Sequence, residues 1–447
     1  MKTLAIQVVL YNQSRSELEK LFQCLAWLMA PVGYSLQLRT GDGGEATEID
    51  DSFVSGWSER FASVGIGWTH TKFDGNVGFG KGHNLLFKQG ESDRVWLLNP
   101  DAYFARDIVI RLGGFADAHS DFGIVEPRSL PIEHAKAIDF QTCETGWCSG
   151  FAPLISSSAF QEVGGFDERF FLYEEDVDLS WRIKATGRKL YCCPSASVYH
   201  AHVGGVSDWS RKWSQVSELL LLKKYRRKGH LVCRLSDLAV GDESFFRDVL
   251  QIASESKMKV ATQREIGAAS WTGRMVSPLR WGPYALRERG GKEANSVLVR
   301  SVEGNELALI ESLLSAWSAG ASRVGLDAPD DTRRAIQGAL PFELEPPDSK
   351  FDASITEGQI VLNLQLENQT WAKLFTQKIE GGYLNRHIEK DKVAEASSVW
   401  RVDSEHPLAM IADEEGWRFT VRQMRARLRL LKLGTQKKKL IQDFLKT

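Results

Sequence analysis

The chain has 447 residues, 43% of them hydrophobic and 26% charged, and a formal net charge of −2. This composition is typical of a folded globular protein and excludes a disordered or fibrous chain, while a net charge so close to zero gives no reason to expect nucleic acid as a partner. The length predicts two or three domains, and the absence of about 18 consecutive apolar residues argues against a transmembrane helix.

The first half of the chain alternates strand-like and helix-like segments. Apolar runs and apolar spacing predict a strand, a helix and two further strands in chain order, over Leu4–Leu10, Ser14–Met29, Leu36–Arg39 and Val95–Leu98. Ser14 and Glu17 have the spacing of a capping box, which begins the helix. The three strands deliver Asn12, Asp42 and Asp101 to their carboxyl ends, where an open α/β sheet binds its ligands. The pattern predicts an α/β fold with a mostly parallel sheet and flanking helices.

A glycine-rich segment runs from Asp74 to Asn84 and holds four glycines and two asparagines. Glycine permits positive φ and lets backbone N–H groups approach a ligand closely. We therefore expect a ligand-binding loop, with Gly82-His83-Asn84 at the beginning of the next helix. A glycine-rich turn that only joins a strand to a helix explains the segment equally well.

Asn99-Pro100-Asp101 follows the apolar run Val95–Leu98 directly, which predicts an exposed carboxylate at a strand end. Mg²⁺ and Mn²⁺ prefer oxygen ligands and commonly bridge one or two carboxylates to substrate phosphates. Asp101 is therefore a candidate metal ligand. An ordinary Asx or Pro-Asp turn is the alternative explanation.

An acidic run places Glu174, Glu175, Asp176 and Asp178 within five residues, at the start of a short predicted helix that ends before Gly187. The helix dipole favours acids at this end, so capping is the simpler explanation. Four carboxylates exceed what capping requires, and their mutual repulsion is expected to raise the pKa of at least one of them. A carboxylate of this kind can serve as a general base.

These motifs occur in a fixed order along residues 3–205 and end in a His-x-His-x-Gly-Gly motif. Together they resemble the family 2 glycosyltransferases with the GT-A fold, in particular the rhamnosyltransferase-like branch. The resemblance implies an inverting, metal-dependent enzyme that moves a sugar from a nucleotide-diphosphate donor, such as dTDP-rhamnose or a UDP-sugar, to a hydroxyl of a glycan or lipid-linked acceptor in bacterial surface polysaccharide synthesis. A catalytically inactive nucleotide-sugar-binding or scaffold protein of the same fold is the alternative.

The resemblance also implies roles for individual residues. Asp176 is the base that deprotonates the acceptor hydroxyl, and Glu175 orients the acceptor or raises the pKa of Asp176. Asp101 holds a divalent metal, Mg or Mn, on the diphosphate, and His200 or His202 completes that site, with His200 preferred. Asp42 contacts the nucleobase or ribose. The donor-binding set as a whole is Tyr11, Asn12, Asp42, Asn76, Gly78, Phe79, Gly82, Asn84 and Asn99.

The resemblance also implies residues on the acceptor side, and a structural role is expected for Asp178. Trp147, Gly150 and Phe171 are expected to line the acceptor side, although core packing explains the two aromatic residues equally well. Asp178 is expected to cap or brace the helix, which leaves Glu174 as an extra acid without a role.

The character of the sequence changes after Gly205. We expect the GT-A domain over residues 1–229, a linker or helical connection over 230–295, and a smaller C-terminal α/β or mainly helical domain over 296–447. Strands are predicted over Ser296–Val302 and Gln359–Leu364 and a helix over Glu306–Ala319.

The basic residues are concentrated near the end of the chain. Residues 418–447 contain ten lysines and arginines against the single acid Asp443, and a second basic cluster covers Lys223–Lys228. Either can hold the protein at the anionic inner face of a membrane, and a solvated helix face or a contact between domains explains them as well. The six cysteines lack the spacing of a zinc site, which predicts reduced thiols and a cytoplasmic protein.

Overall fold

The computed structural model places two α/β units and a layer of helices. The first unit contains an eight-stranded sheet, and the second contains a small three-stranded parallel sheet. The residues described are 1–130, 138–139, 142–200, 207–269, 285–287, 296–302, 304–318, 321–357, 359–366, 369–376 and 416–446.

The large sheet is mixed but mostly parallel. Its spatial order is β3-β2-β1-β4-β7-β6-β8-β5, in which β7 runs antiparallel to β4 and β6, and β5 runs antiparallel to β8. Six of the nine residues of β1, the strand between β2 and β4, are buried, as expected for a parallel strand covered on both faces. The strands are β1 (Lys2–Leu10), β2 (Tyr34–Asp42), β3 (Ile66–Lys72), β4 (Arg94–Leu98), β5 (Ala102–Phe104), β6 (Phe122–Leu130), β7 (Leu154–Ser156) and β8 (Lys189–His200).

Ten helices cover this sheet and continue from it within the described part of residues 1–269. The capping box at the start of the first helix is confirmed, because the Ser14 hydroxyl accepts from the Glu17 N–H and Glu17 accepts from the Ser14 N–H. The helices are α1 (Arg15–Ala26), α2 (Asp51–Ser63), α3 (Phe79–Phe87), α4 (Ile108–Asp117), α5 (Ser157–Glu162), α6 (Glu175–Ala185), α7 (Asp208–Lys224), α8 (Lys228–Val240), α9 (Glu243–Glu255) and α10 (Gln263–Ala268).

Two local predictions need correction. The second strand was expected to end before Gly41, but β2 runs to Asp42 because Gly41 and Asp42 pair with the last residues of β3. The helix after the glycine-rich loop was expected to begin at Gly82. It begins at Phe79, after Gly78 with φ of 82°, so Gly82 lies inside α3.

The described helices that follow residue 229 share a core with the first unit. The helices α8, α9 and α10 pack with α6 and α7 into one apolar core, which contains Trp147, Phe170 and Trp181 of the first unit. Leu231 and Leu235 of α8 and Phe246 of α9 are buried in the same core. Residues 228–268 therefore extend the first unit and do not link it to the second.

The second unit contains a small parallel sheet with two helices. Its strands β10, β11 and β12 are parallel in the order β11-β10-β12, and a separate antiparallel sheet has the order β13-β14-β9. The predicted strands and helix of this region are all present with nearly the expected bounds. The elements are β9 (Ala285–Arg287), β10 (Ser296–Arg300), α11 (Glu306–Ser318), β11 (Arg323–Asp327), α12 (Asp330–Gln337), β12 (Ala353–Thr356), β13 (Gln359–Leu366) and β14 (Gln369–Thr376).

The basic tail forms two helices, α13 (Gly416–Leu431) and α14 (Thr435–Lys446), which pack on the helical layer of the first unit. Ile441 and Phe444 of α14 are buried in the core shared with α7 to α9. Lys437 Nζ donates to the Ala239 carbonyl at 2.9 Å. The tail helices therefore pack on the first unit. Among the described helices, none combines the length and apolar character needed to cross a membrane.

A buried ion pair joins the two units. Arg128 of β6 and Glu311 of α11 lie 3.0 Å apart, with side chains 0% and 2% exposed. Ser197 of β8 also donates to Glu311, at 2.7 Å. Tyr103 and Trp317 pack edge to face beside this contact.

Candidate active site

Asp42 lies at the carboxyl end of β2 and is 2% exposed. One carboxylate oxygen accepts from the Gly44 N–H at 2.8 Å and from the Thr47 hydroxyl at 2.7 Å. The other forms an ion pair with Lys72 Nζ at 2.7 Å. Asp42 therefore shapes the loop that follows β2, and the partly exposed Lys72, which sequence reasoning missed, lies between its carboxylate and solvent.

Asn12 ties the end of β1 to the same loop. Its side-chain oxygen accepts from the Ala46 N–H at 2.9 Å, and its own N–H donates to the Thr47 hydroxyl at 2.9 Å. The backbone of Asn12 has φ of 60°, a conformation that asparagine tolerates better than most residues. Its neighbour Tyr11 is 46% exposed. The structure thus brings Asn12 and Asp42 together as predicted and leaves Tyr11 at the surface beside them.

The glycine-rich loop is held against the segment that precedes α6. The Phe79 N–H donates to the Phe171 carbonyl at 3.2 Å, and the Gly78 N–H donates to the Asn76 side chain at 3.1 Å. A Cβ on Gly78 would lie 2.3 Å from the Phe171 carbonyl oxygen, so only glycine fits there. The loop and the acidic segment therefore form one structural unit.

Gly82 and Asn84 lie below this loop. A Cβ on Gly82 would lie 2.8 Å from a Val9 methyl, so this glycine allows α3 to pack on β1. The Asn84 side chain accepts from the Phe166 N–H at 2.9 Å and donates to the Phe166 carbonyl at 3.0 Å and to Glu168 at 3.1 Å. The Asn84 amide therefore holds the backbone of Phe166, and Gly82 packs against β1. The contacts with the nucleotide-sugar donor expected of both residues stay predictions.

Asp101 lies close to His200 at the place where β5 pairs with β8. His200 Nε2 lies 3.3 Å from Asp101 Oδ1 and 3.5 Å from the Asn99 amide nitrogen, and both side chains of the pair are partly exposed. The ring of Phe151 stacks on His200 with centroids 4.1 Å apart. A carboxylate oxygen and an imidazole nitrogen thus lie close together, and both are ligand types that a divalent metal can take.

The described residues supply this point with fewer than three side-chain ligands of the His, Cys, Asp and Glu types. Mg²⁺ and Mn²⁺ usually keep several waters and take further oxygens from substrate phosphates, so two protein ligands fit their chemistry. His202, the other predicted ligand, lies outside the described residues.

Asp176 occupies the first turn of α6. Its two carboxylate oxygens accept from the Gly150 N–H at 2.9 Å and from the Val177 N–H at 2.8 Å. A Cβ on Gly150 would lie 3.3 Å from the Asp176 Cβ and 3.0 Å from the Phe79 ring. The absence of a side chain at Gly150 therefore allows this close approach to Asp176, and the expected place of Gly150 on the acceptor side stays a prediction.

The turn around Gly150 connects the two halves of the site. The Ser149 N–H donates to Glu126 at 2.8 Å, Gly150 donates to Asp176, and Phe151 stacks on His200. Sequence reasoning missed Glu126 and Phe151. A Ser-Gly-Phe turn after an apolar segment was visible, but nothing in the sequence shows which side chains it contacts.

Glu174 and Glu175 are each 5% exposed. Burial first, and then the charge of Asp176, raise the pKa of both carboxyls well above the ordinary value. In each of them Oε2 has no hydrogen-bond partner among the described residues. Glu175 Cγ lies against the backbone of Gly80, under α3. The structure thus places Glu175 beside Asp176 with a nearly buried side chain, and its expected role in orienting the acceptor or raising the pKa of Asp176 stays a prediction.

Asp178 braces α6 as predicted. Its buried carboxylate lies 2.7 Å from Arg182, 2.5 Å from Lys224 and 2.9 Å from the Tyr225 hydroxyl. Lys224 also pairs with Asp167 at 2.7 Å. Lys224 is buried between these two acids, so it is not available to a membrane surface. The predicted membrane role of the Lys223–Lys228 cluster therefore has one cation fewer.

The predicted acceptor-side residues separate into two groups. Trp147 is 2% exposed and belongs to the core around Phe170 and Trp181, so core packing is its observed role. Phe171 is partly exposed, and its ring lies 4.5 Å from that of Trp213 and 5.9 Å from that of Trp209. Trp209 is 45% exposed. Phe171 thus extends into an aromatic surface on α7 that sequence reasoning missed.

No family model matches the chain. Rhamnosyltransferase WbbL of Escherichia coli (strain K12) is 34% identical over 191 residues, which cover 34% of this chain and 72% of the relative. The N-acetylglucosaminyl-diphospho-decaprenol L-rhamnosyltransferase of Mycobacterium tuberculosis is 52% identical over 62 residues, or 13% of this chain. This chain therefore spans only 20% of the length of the mycobacterial relative.

Solved structures show weaker similarity. The mannosyltransferase PcManGT from Pyrobaculum calidifontis, in complex with GDP-Man and Mn2+, is 14% identical, with 60% of this chain and 73% of its own covered at a TM-score of 0.38. GalNAc-T7 with UDP, GalNAc and Mn2+ is 14% identical, with 58% and 55% covered at a TM-score of 0.44. Similarity this weak carries no information about donor, metal or mechanism.

The family assignment rests on the long match to WbbL, most of whose length this chain covers. The mostly parallel sheet, its flanking helices and the order of the site motifs agree with that match. The chain therefore belongs to the family 2 glycosyltransferases, in the rhamnosyltransferase-like branch, and its first unit has the GT-A fold.

Proposed function

We propose that this protein is an inverting glycosyltransferase that moves a sugar from a nucleotide-diphosphate donor to a hydroxyl of a glycan or lipid-linked acceptor in bacterial surface polysaccharide synthesis. The observation that carries the proposal is the turn from Ser149 to Phe151, which contacts Asp176 at one residue and His200 at the next. Three consecutive residues thus connect a carboxylate suited to proton transfer with an Asp–His pair suited to a metal–diphosphate.

Asp176 is the general base of the proposed reaction. A bond forms between the acceptor oxygen and the anomeric carbon, the bond from that carbon to the diphosphate breaks, and the hydroxyl proton passes to Asp176. The N–H groups of Gly150 and Val177 donate to the carboxylate and favour its charged form, which is the form that accepts a proton. Attack from the face opposite the leaving diphosphate inverts the anomeric centre.

Asp101 and His200 are the proposed ligands of a divalent metal, Mg or Mn, with His202 as a further candidate. When bound, such a cation neutralises negative charge on the departing diphosphate. Asn99 contacts His200 and helps to orient its ring. Around the donor, Tyr11 and the loop held by Asn12 and Asp42 offer an exposed ring and polar edges for the nucleoside.

The names of the two relatives suggest the substrates. Both are rhamnosyltransferases, and the mycobacterial one carries an N-acetylglucosaminyl-diphospho-lipid in its name. We propose dTDP-rhamnose, or else a UDP-sugar, as donor and a saccharide on a diphospho-lipid as acceptor. An enzyme with such an acceptor works as a cytoplasmic protein bound peripherally at the inner face of the membrane.

The test compares Asp176→Asn with the wild type in the presence of Mn²⁺, a panel of nucleotide sugars and an N-acetylglucosaminyl-diphospho-lipid. Transfer by the variant is expected to fall by a factor of about 10² or more, as for loss of a general base. Asp208→Asn is the matched control, because Asp208 also lies in the first turn of a helix but is 92% exposed. Release of nucleoside diphosphate gives the rate, and NMR of the product gives its anomeric configuration.

Full activity of Asp176→Asn would remove Asp176 from the mechanism. A product that keeps the anomeric configuration of the donor would exclude inversion. Thermal stabilisation of the wild type by a nucleotide sugar, without transfer to any acceptor and without hydrolysis, would support the inactive nucleotide-sugar-binding protein instead.

A further inference from the structure

Helix α13 carries an exposed apolar stripe. Met424 is 60% exposed, Leu428 57% and Leu431 70%. Their spacing of four and three residues places the three side chains on one face of the helix. Large apolar side chains scattered singly over a surface are ordinary, but three in one row are typical of a surface that binds another apolar body.

The opposite side of α13 is already in use. Ala426 is 3% exposed, and the Gln423 amide lies against the Gly229 backbone at the start of α8. Arg429 reaches Asp237 of α8 at 3.4 Å. These contacts fix the rotation of the helix about its axis, so the stripe faces away from the α8 side as a consequence of packing.

Cations surround the stripe. Arg425, Arg427 and Lys432 are exposed beside it, and Lys438 and Lys439 are exposed on the neighbouring helix α14. The sequence of both helices contains one acid, Asp443. An apolar row bordered by lysine and arginine is the pattern of a helix that lies in a membrane interface, where its apolar side chains enter the acyl boundary and its cations meet lipid phosphates.

We propose that the stripe of Met424, Leu428 and Leu431 on α13 docks the protein on an anionic lipid bilayer. This deepens the proposed function, because a lipid-linked acceptor lies in such a surface. Nucleic acid would use the cations but gains nothing from the exposed apolar row. A symmetric contact between two copies would place the cations of one basic face against those of the other.

Vesicle flotation of the full chain tests the proposal. The wild type is expected to float with vesicles that contain phosphatidylglycerol and phosphatidylcholine, and to float poorly with phosphatidylcholine alone or at high salt. Replacement of all three stripe residues by Gln is expected to reduce the bound fraction at least tenfold. The matched control replaces three other exposed apolar residues by Gln, namely Val32, Val240 and Val302, and should float like the wild type.

The cations beside the stripe are tested by a second pair of variants. Replacement of Arg425, Arg427 and Lys432 by Gln is expected to abolish the preference for phosphatidylglycerol. Gln at three exposed cations elsewhere, Arg60, Lys88 and Lys350, removes the same formal charge and is expected to leave that preference intact. The melting temperature of each variant confirms that it folds.

Several outcomes would overturn the proposal: a wild type that does not float with anionic vesicles, a stripe variant that floats like the wild type, or a dimer in light scattering that only the stripe variant converts to monomer. The last outcome would make the stripe a contact between copies. Asp176→Asn separates this proposal from the proposed function, since that variant is expected to lose transfer and to float unchanged. Wild-type flotation without any transferase activity would leave the docking surface standing and the proposed function refuted.

Discussion

At the scale of single residues, the position of Asp176, the proposed base, depends on Gly150, which has no side chain. Gly150 approaches both Asp176 and Phe79 so closely that a methyl group would lie 3.3 Å from the Asp176 Cβ and 3.0 Å from the Phe79 ring. One of the two must then move by a few tenths of an ångström. Misplacement of a reacting group by about 1 Å can cost about 10² in rate, so smaller shifts still matter.

We therefore expect Gly150→Ala to fold and bind donor but to lower kcat by roughly 10-fold to 10²-fold. The control is Gly114→Ala in α4, where an added Cβ meets no atom within 4 Å. Steady-state kinetics with donor and acceptor varied separately would measure the effect. An unchanged kcat would mean that the Gly150 contact does not position Asp176.

Glu174 gives the site a pH-dependent stability. Burial, and then the charges of Asp176, Glu218 and Glu175, raise its pKa well above the ordinary value of 4.5. The unfolded chain loses this proton near the ordinary pKa, whereas the folded protein keeps it to higher pH. The stabilising contribution is therefore complete at low pH and is lost as pH rises through the raised pKa.

Glutamine at position 174 cannot ionise, so Glu174→Gln does not lose folding stability in this way as pH rises. The variant should match the wild type in unfolding free energy below about pH 4 and exceed it increasingly at higher pH, by up to about 1.4 kcal/mol per pH unit. Urea unfolding at a series of pH values checks this. Glu162→Gln, at a glutamate whose side chain is 51% exposed, should change stability by less than ~0.5 kcal/mol throughout. A constant difference for Glu174→Gln across the series would contradict the argument.

Local sequence was enough to predict Asp101, Asp176 and the capping box, because strand ends, helix starts and short motifs are encoded by neighbouring residues. Phe151 and Lys72 were missed, since each acts through a contact with a residue 30 or more positions away, on another strand or loop. The hydrogen bonds of Asn84 could not be predicted for the same reason. Its asparagine suits a polar ligand, but the partner is the chain itself at Phe166.

At the scale of elements, α7 extends the site with aromatic rings. Trp213 and Trp209 stand one turn apart on this helix, and Phe171 packs on both. The Phe171 carbonyl is bound by the loop that ends in Phe79, so the rings begin where the glycine-rich loop and the acidic segment meet. Flat aromatic faces pack well on the apolar faces of sugar rings, which makes this surface a candidate platform for the acceptor.

We expect Trp209→Ala and Trp213→Ala to raise the KM for the acceptor by about tenfold each, which corresponds to loss of about 1.4 kcal/mol of contact. Metal-dependent hydrolysis of the donor should stay unchanged, because both rings pack on Phe171, which is expected on the acceptor side. Trp27→Ala is the control, at another exposed tryptophan, 40% accessible, on the C-cap of α1. An unchanged acceptor KM in both variants would refute the platform.

Elements were predicted unevenly along the chain. β1, α1 and β4 have strong apolar patterns and were found, as were β10, α11 and β13. The stretch 230–295 was expected to be a linker or a helical connection, and it contains the helices α8 to α10. Their packing on α6 and α7 could not be predicted from the sequence of this stretch alone. The basic tail was recognised from its charge. Its packing on the first unit could not be predicted, because Ile441 and Phe444 contact residues some 200 positions earlier in the chain.

At the scale of the whole molecule, the two α/β units meet in a contact that is not only apolar. Arg128 and Glu311 form an ion pair with both side chains almost fully buried, and Arg106 adds hydrogen bonds to the carbonyls of Gly338 and Ala339. Burial of two charges costs free energy, so the pair contributes little net stability. Its main effect is to fix the orientation of the two units. Loss of one partner, in contrast, leaves a buried charge without its counter-ion.

Arg128→Met should therefore lower the free energy of unfolding by about 3–5 kcal/mol, whereas the double variant Arg128→Met/Glu311→Met should recover most of that loss, because it buries no charge. The matched control is the exposed pair of Arg323 and Glu345, 3.4 Å apart, where Arg323→Met should cost less than ~1 kcal/mol. Denaturant unfolding followed by tryptophan fluorescence measures all four proteins. If Arg128→Met cost no more than Arg323→Met, the pair would not be buried in solution and the two units would not be joined through it. A double variant as unstable as Arg128→Met would instead show that the units need the charges themselves to hold their orientation.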